Sequence, residues 1–326
     1  MPTAKRLTAS LAMVAVLLTS ATATATGQPA SPASPPPGAD ATTIPKAFPV
    51  VNGTYIPIAG NFDCDEGIDG IAAEEPAVLW YAPGSAPDYL WTDLAITNGV
   101  LSKTQSTLSI KGTYVPIVGD FDKDGCHDIF WYGEGSASDY LWWGGPTGFS
   151  NGVAVNVSGS YRPVASYSYI VWYSPLGTES MWEGTGVRST PFVVRSFPQI
   201  SGTGYQPVSF HDATTEAVEI LWYTPGTGPN SIWTFPQLGT PFDHTVVPVS
   251  ISGTYLSATY LTDAVLHGPG AAVDQFLQVT SDAVAFDPFT IDGTYVVAGR
   301  GRVLIWHGPG TAPDQVWLGP PLVPDL

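Results

Sequence analysis

The segment Asp120-Phe121-Asp122-Lys123-Asp124-Gly125-Cys126-His127-Asp128 places carboxylates at positions 1, 3, 5 and 9, a glycine at 6 and the Cys126 carbonyl at 7. Calcium takes six to eight oxygens around a sharply turned backbone, and this order of residues supplies them. Asp120, Asp122, Asp124 and Asp128 are therefore candidate ligands, with Cys126 acting through its backbone. A second segment, Asn61-Phe62-Asp63-Cys64-Asp65-Glu66-Gly67-Ile68-Asp69, repeats the order. Asn61, Asp63, Asp65 and Asp69 match it position for position, and Gly67 offers the carbonyl. Glu66 stands where the turn glycine should be, and an insertion runs on through Glu74 and Glu75. The expected cofactor is structural Ca2+; the competing reading is a pair of solvated acidic turns.

Other chemistry finds little footing. No Gly-x-Ser-x-Gly elbow, His-Glu-x-x-His or phosphate-binding loop is present, and no enzymatic activity is expected. His127 lies in the acidic loop, while His211 and His244 have no partner that the sequence can name. His267 and His307 occupy the place held elsewhere by Tyr81, Tyr132, Tyr173 and Tyr223, a structural position.

These loops must be carried by something regular, and the chain repeats. Gly-Thr-Tyr or a near variant recurs at Tyr55, Tyr114, Tyr161, Tyr205, Tyr255 and Tyr295, roughly 40–60 residues apart, the period of four-stranded propeller blades. Each copy leads into an alternating apolar strand such as residues 114–118, a polar turn, and a buried strand such as Ile129-Phe130-Trp131-Tyr132. A Pro-Gly-type turn, a third strand ending in Leu-Trp and a less regular fourth strand complete the unit. The last copy stops before its fourth strand, while residues 48–53 read like the strand that is missing. The fold expected is all-β: a six-bladed β-propeller of four-stranded antiparallel blades, the last closed by the N-terminal strand.

The repeat also accounts for the tryptophans. Trp80, Trp131, Trp172, Trp222 and Trp306 share one blade position, and Trp91, Trp142, Trp182, Trp233 and Trp317 share another. Residues recurring once per blade serve packing between sheets. Only Trp143 falls outside both sets, which makes it the candidate for stacking on a sugar ring.

The acidic loops, flanked by strands rather than helices, resemble the calcium hairpins of FG-GAP/VCBS propellers. The resemblance spans nearly all of the mature chain, although literal Phe-Gly and Gly-Ala-Pro signatures are absent and Tyr-x-Pro-Gly stands in their place. This favours the bacterial VCBS side of the group. In that family the loops are structural calcium sites and the propellers mostly serve adhesion or ligand binding. The resemblance thus implies a non-enzymatic binding or adhesion module, with a carbohydrate-binding lectin as the alternative and a propeller-based hydrolase or lyase as a third reading.

Residues 1–26 have the layout of a cleavable signal peptide: Lys5 and Arg6, an apolar run from Leu7 to Leu18, then Ala21, Ala23 and Ala25. Residues 27–45, rich in Pro, Ala, Ser and Thr, read as a linker, and residues 46–326 as the propeller. The protein is expected to be secreted and monomeric, without membrane insertion. A net charge of −17 excludes nucleic acid, which needs clustered Lys and Arg. The partner would be an extracellular glycan or protein. Residues 92–106, 144–152 and 211–219 are the irregular loops on which ligand contacts are expected. Cys64 and Cys126, the only cysteines, lie in the two acidic loops of adjacent blades; in an oxidising compartment they form a bridge or remain two free thiols.

Overall fold

Short apolar runs punctuated by Gly and Pro form antiparallel hairpins throughout. A computed structural model describes residues 44–64, 77–150, 152–175, 177–211, 217–236, 243–280 and 283–319. After β1 (Lys46–Ala47), the first blade comprises β2 (Ile56–Gly60), β3 (Ala77–Tyr81), β4 (Asp88–Thr97) and β5 (Val100–Leu108). The second comprises β6 (Val115–Gly119), β7 (Asp128–Tyr132), β8 (Asp139–Trp142) and β9 (Ala154–Val155), and the third β10 (Arg162–Ser166), β11 (Tyr169–Tyr173), β12 (Ser180–Gly184) and β13 (Phe192–Ser196). The fourth comprises β14 (Gln206–His211), β15 (Val218–Tyr223), β16 (Asn230–Phe235) and β17 (Thr245–Val249), and the fifth β18 (Leu256–Tyr260), β19 (Asp263–His267), β20 (Asp274–Thr280) and β21 (Ala283–Phe289). The sixth comprises β22 (Val296–Arg300), β23 (Val303–His307), β24 (Gln315–Leu318) and, as its outer strand, β1. Helices are absent among the described residues.

The innermost strands β2, β6, β10, β14, β18 and β22 neighbour one another in succession, and β22 meets β2 again. This is a closed six-bladed β-propeller. The second strands are buried on both faces, since each sheet packs between two others. That is why Ala77-Val78-Leu79-Trp80-Tyr81 and its equivalents are continuous apolar runs rather than alternating ones.

Register confirms the two tryptophan sets. Trp80, Trp131, Trp172 and Trp222 each pair with the proline of the first strand, and Trp306 with Val297 at the same position. Each of these indoles stands nearly edge-on to a Tyr or His of the preceding blade. Trp131 lies 5.1 Å from Tyr81, Trp172 5.2 Å from Tyr132, Trp222 5.6 Å from Tyr173, Trp306 5.1 Å from His267 and Trp80 5.3 Å from His307. No hydrogen-bond acceptor reaches their buried indole N–H groups, so the perpendicular ring contacts are what these side chains contribute between blades. His267 and His307 do take the tyrosine position, as their sequence alignment indicates.

Closure runs slightly ahead of the expected segment. The pairing strand is β1, with Lys46 opposite Trp317 and Ala47 opposite Val316; residues 48–53 follow the last blade without being a strand. Pro49 cannot donate to a ladder, and Phe48 and Val50 are 62% and 63% exposed. The segment is nonetheless tied down. Asp314 N–H donates to the Pro49 carbonyl, Val51 N–H to the Asp314 carboxylate at 2.5 Å, and Gly53 exchanges backbone bonds with Gly310. Upstream, the Pro45 carbonyl accepts from Leu318 N–H and Ile44 is buried against the same blade.

Residues 92–106 are not an irregular loop. They form most of a long hairpin, β4 to β5, turning at Asn98-Gly99, both with positive φ (51° and 77°). That dipeptide is the sequence signal of a tight hairpin turn. A bulge between Thr92 and Ala95 re-aims the strand.

A clasp recurs in five of the six blades, the third having Glu179 at this place, bonded to Gln199 Nε2 instead. Asp88, the first residue of β4, is fully buried and accepts from Ala82 N–H at 2.8 Å and Ile110 N–H at 2.6 Å. It thereby fixes both the turn ahead of it and the chain leaving the blade. Asp139, Asp274 and Asp314 repeat the arrangement, and Asn230 does so with its amide. In the last two blades His267 and His307 also hydrogen-bond this aspartate through Nδ1, each at 2.7 Å.

Candidate metal centre

The β6–β7 turn of the second blade holds the acidic motif. Gly125 takes φ 91°, a left-handed conformation that favours glycine. The loop winds on its own carboxylates: Asp120 accepts from Asp124 N–H and Gly125 N–H, both at 3.1 Å, and Asp124 from Cys126 N–H at 2.9 Å. The result brings Asp120, Asp122 and Asp124 together, with one oxygen of each within 4.8 Å of the others.

Asp128 behaves differently. It is fully buried, and its two oxygens accept from Phe121 N–H at 2.7 Å, Asp122 N–H at 3.3 Å and Gly144 N–H at 2.9 Å. The structure thus uses it to fasten the loop to β7 and to the chain beyond β8, outside the cluster of three. Cys126, whose carbonyl is the expected ligand at position 7, has its sulfur in a disulfide with Cys64, with the Cα atoms 4.8 Å apart. The bridge staples the first two blades, and nearby backbone bonds reinforce it. His127 N–H donates to the Asn61 carbonyl at 2.6 Å, and Asn61 N–H donates to His127 Nδ1 at 2.8 Å.

In the first-blade loop Asn61 is buried, and its Oδ1 meets no donor. Asp63 is half-buried. Asp65, Gly67 and Asp69 lie outside the described residues.

Charge in the second-blade cluster is crowded. Burial pushes Asp120 above the usual carboxylate range, and does the same to Asp122 against the pull of its bond to Arg188. Burial, and then the charge of Asp122, push Asp128 up to about 8. Such a group of carboxylates needs positive charge beside it. Part of that charge comes from the third blade, whose β12–β13 turn delivers Arg188. Its Nε bonds Asp122 and its Nη2 bonds Asp124 at 3.0 Å. Thr185 shapes that turn, donating through Oγ1 to the Thr190 carbonyl at 2.6 Å. Lys123 reaches Glu183 of the same blade at 3.8 Å. Arg188 also covers Trp143, 5.4 Å from the ring centroid, and Trp143 is only 3% exposed. The tryptophan that sequence singled out for sugar stacking is therefore a packed residue.

Calcium fits this donor set. The three converging groups are hard oxygen ligands, and Asp122 Oδ1 is buried with no hydrogen-bond donor. Arg188 could not be found from the motif, because it arrives from another blade with no fixed spacing. The clasp aspartates could have been found, since Asp88, Asp139, Asp274 and Asp314 stand at the same place in four of the six repeats.

Fold and site together define a six-bladed β-propeller with an acidic hairpin at the seam of its second and third blades. The chain matches no protein-family model, and no curated protein is similar to it.

Proposed function

We propose that this protein is a secreted bacterial binding or adhesion module of the FG-GAP/VCBS type, non-enzymatic and monomeric, with calcium stiffening its first two blades. The observations that carry the reading are the convergence of Asp120, Asp122 and Asp124 and the buried, unpartnered Oδ1 of Asp122. Asp120, Asp122 and Asp124 would hold the ion. Bound there, calcium would supply charge neutralisation and a rigid tie across the turn, with no chemistry of its own. The disulfide and Arg188 already join this turn to both neighbouring blades, so fixing it fixes the surface formed by all three. The partner is an extracellular glycan or protein.

Calorimetric titration of the mature protein with calcium tests the metal. A binding isotherm with Kd of about 0.1–1 mM is expected, the range of extracellular calcium modules, and Asp122→Asn should abolish it. A flat titration of the wild-type protein would remove calcium from the reading.

A further inference from the structure

The third-strand tryptophans are covered in four of the five blades that carry them. Across from Trp91 lies Gln105, which accepts its indole N–H at 2.9 Å, and Lys103 sits 3.8 Å over the ring. Val194 lies opposite Trp182 and Val246 opposite Trp233, with His244 stacked on Trp233 at 4.6 Å. Lys46 lies opposite Trp317, its ammonium 4.0 Å from the ring.

The second blade is the exception. Its outer strand β9 pairs with Asp139 and Tyr140 only, and the chain reaches Trp142 by way of Gly152. There the backbone lies so close that a Cβ on Gly152 would stand 1.0 Å from the Leu141 carbonyl oxygen. No side chain is possible at this point. Phe149 touches Trp142 from one side, at 5.7 Å. Trp131 meets it edge-on at 5.5 Å, and Trp142 walls a cavity of about 220 Å³ together with Tyr114, Tyr140, Trp131, Lys111 and Ser109.

We infer that this cavity is a binding site for one ring of a neutral carbohydrate. The inference rests on the binding-module reading and names the ligand class and its place. Tyr114 and Tyr140 meet edge to face at 84° with centroids 6.2 Å apart, so both line the cavity as a fixed aromatic pair, and Trp142 adds a third aromatic wall. Such faces take the C–H side of a sugar ring, while the tyrosine hydroxyls, Ser109 and the Lys111 ammonium at the rim serve its hydroxyls. The Lys111 charge disfavours a cationic occupant, which an aromatic box would otherwise attract. The net charge of −17 disfavours a polyanion. The volume is below that of sites for drug-sized ligands, about 300–1,000 Å³, which limits the occupant to about one ring.

The test is a glycan array carrying neutral and sialylated glycans, probed with the mature protein in calcium, followed by titration of the best-bound free sugar. Tyr140 is 43% exposed, so Tyr140→Ala should leave the melting temperature nearly unchanged while weakening binding about tenfold, the scale of a lost aromatic contact. Tyr140→Phe should retain most of the affinity, and Phe48→Ala, an exposed ring on another blade, all of it. Sugar binding that Tyr140→Ala leaves intact would overturn this site while leaving a binding module that acts elsewhere. Absence of any glycan signal, or binding confined to sialylated glycans, would overturn the ligand class; the calcium titration decides the metal separately.

Discussion

Arg188 Nη2 lies 3.0 Å from Asp124 Oδ2, so the third blade places a permanent positive charge on the acidic turn of the second. An arginine and a divalent cation neutralise the same carboxylates and are partly interchangeable there. Arg188→Ala should therefore lower the melting temperature by a few degrees in chelator, where the carboxylates are left to repel one another. In millimolar calcium the deficit should shrink, and calcium should bind the variant more tightly than the wild type. Differential scanning fluorimetry with and without calcium reads both effects. An equal deficit in the two conditions would show that Arg188 acts only through its packing on Trp143.

The Cys64–Cys126 bridge closes a loop with a sequence separation of 62 residues. Loop closure of that length stabilises by about 4 kcal/mol in the chain-entropy model. Reduction, or the Cys64→Ser/Cys126→Ser double variant, should lower the melting temperature by about 8–16 °C, from roughly 2–4 °C per kcal/mol for a domain of this size. Calcium affinity should fall with it, since Cys126 lies inside the turn that the bridge anchors. Intact-mass analysis of the native protein checks the premise, because a reduced protein is heavier by about 2 Da, the two hydrogens restored to the thiols.

Asp263 gives a pH dependence unconnected with the metal. It begins β19, is buried, and accepts from Gln278 Nε2 at 2.9 Å and Thr262 Oγ1 at 3.3 Å. Burial pushes its carboxyl up to about 6, above the unfolded value of about 3.9. The folded state thus binds the proton more tightly. Its contribution is fully present below about pH 4 and is lost as the pH rises through about 6. The loss is on the order of 3 kcal/mol at most. In urea titrations from pH 4 to 7, Asp263→Asn should remove that part of the slope, since an amide keeps the hydrogen bonds without titrating. Parallel pH profiles for the two proteins would refute the assignment.

The difference between what sequence reveals and what it conceals follows from where each feature is encoded. Blade number, strand order and both tryptophan positions are written in a period repeated along the chain, so one alignment exposes them. The convergence of Asp120, Asp122 and Asp124 is local to one turn and is equally legible. Asp128 belongs to the same motif, yet its burial diverts it to backbone N–H groups, and burial is a property of packing. Arg188 and the cavity at Trp142 depend on neighbours from other elements. The cavity in particular is walled by Ser109 and Lys111 from the chain leaving the first blade and by Tyr114, Trp131, Tyr140 and Trp142 of the second. Residues 92–106 were legible through Asn98-Gly99, but only as part of a hairpin longer than the repeat would suggest.

Closure of the ring is the most mechanical of these expectations. The sixth blade borrows β1 from the far end of the chain, and the innermost strands β22 and β2 meet beside it. Removing residues 27–47 would strip Lys46 from Trp317, the Pro45 carbonyl from Leu318 N–H, and Ile44 and Ala47 from the core. It would leave β24 as an unpaired edge. Full burial of an aliphatic side chain the size of Ile44 contributes about 1.5–3 kcal/mol, and the lost ladder bonds about 1 kcal/mol each. A melting temperature lower by about 6–15 °C follows, at roughly 2–4 °C per kcal/mol, together with a rise in dimer or aggregate by light scattering. Removing only residues 27–40 should change neither. Equal melting temperatures for the two truncated proteins would mean that the blade holds without its borrowed strand and that closure rests on the β22–β2 contact and on the bonds of Pro49, Val51 and Gly53 to Asp314 and Gly310.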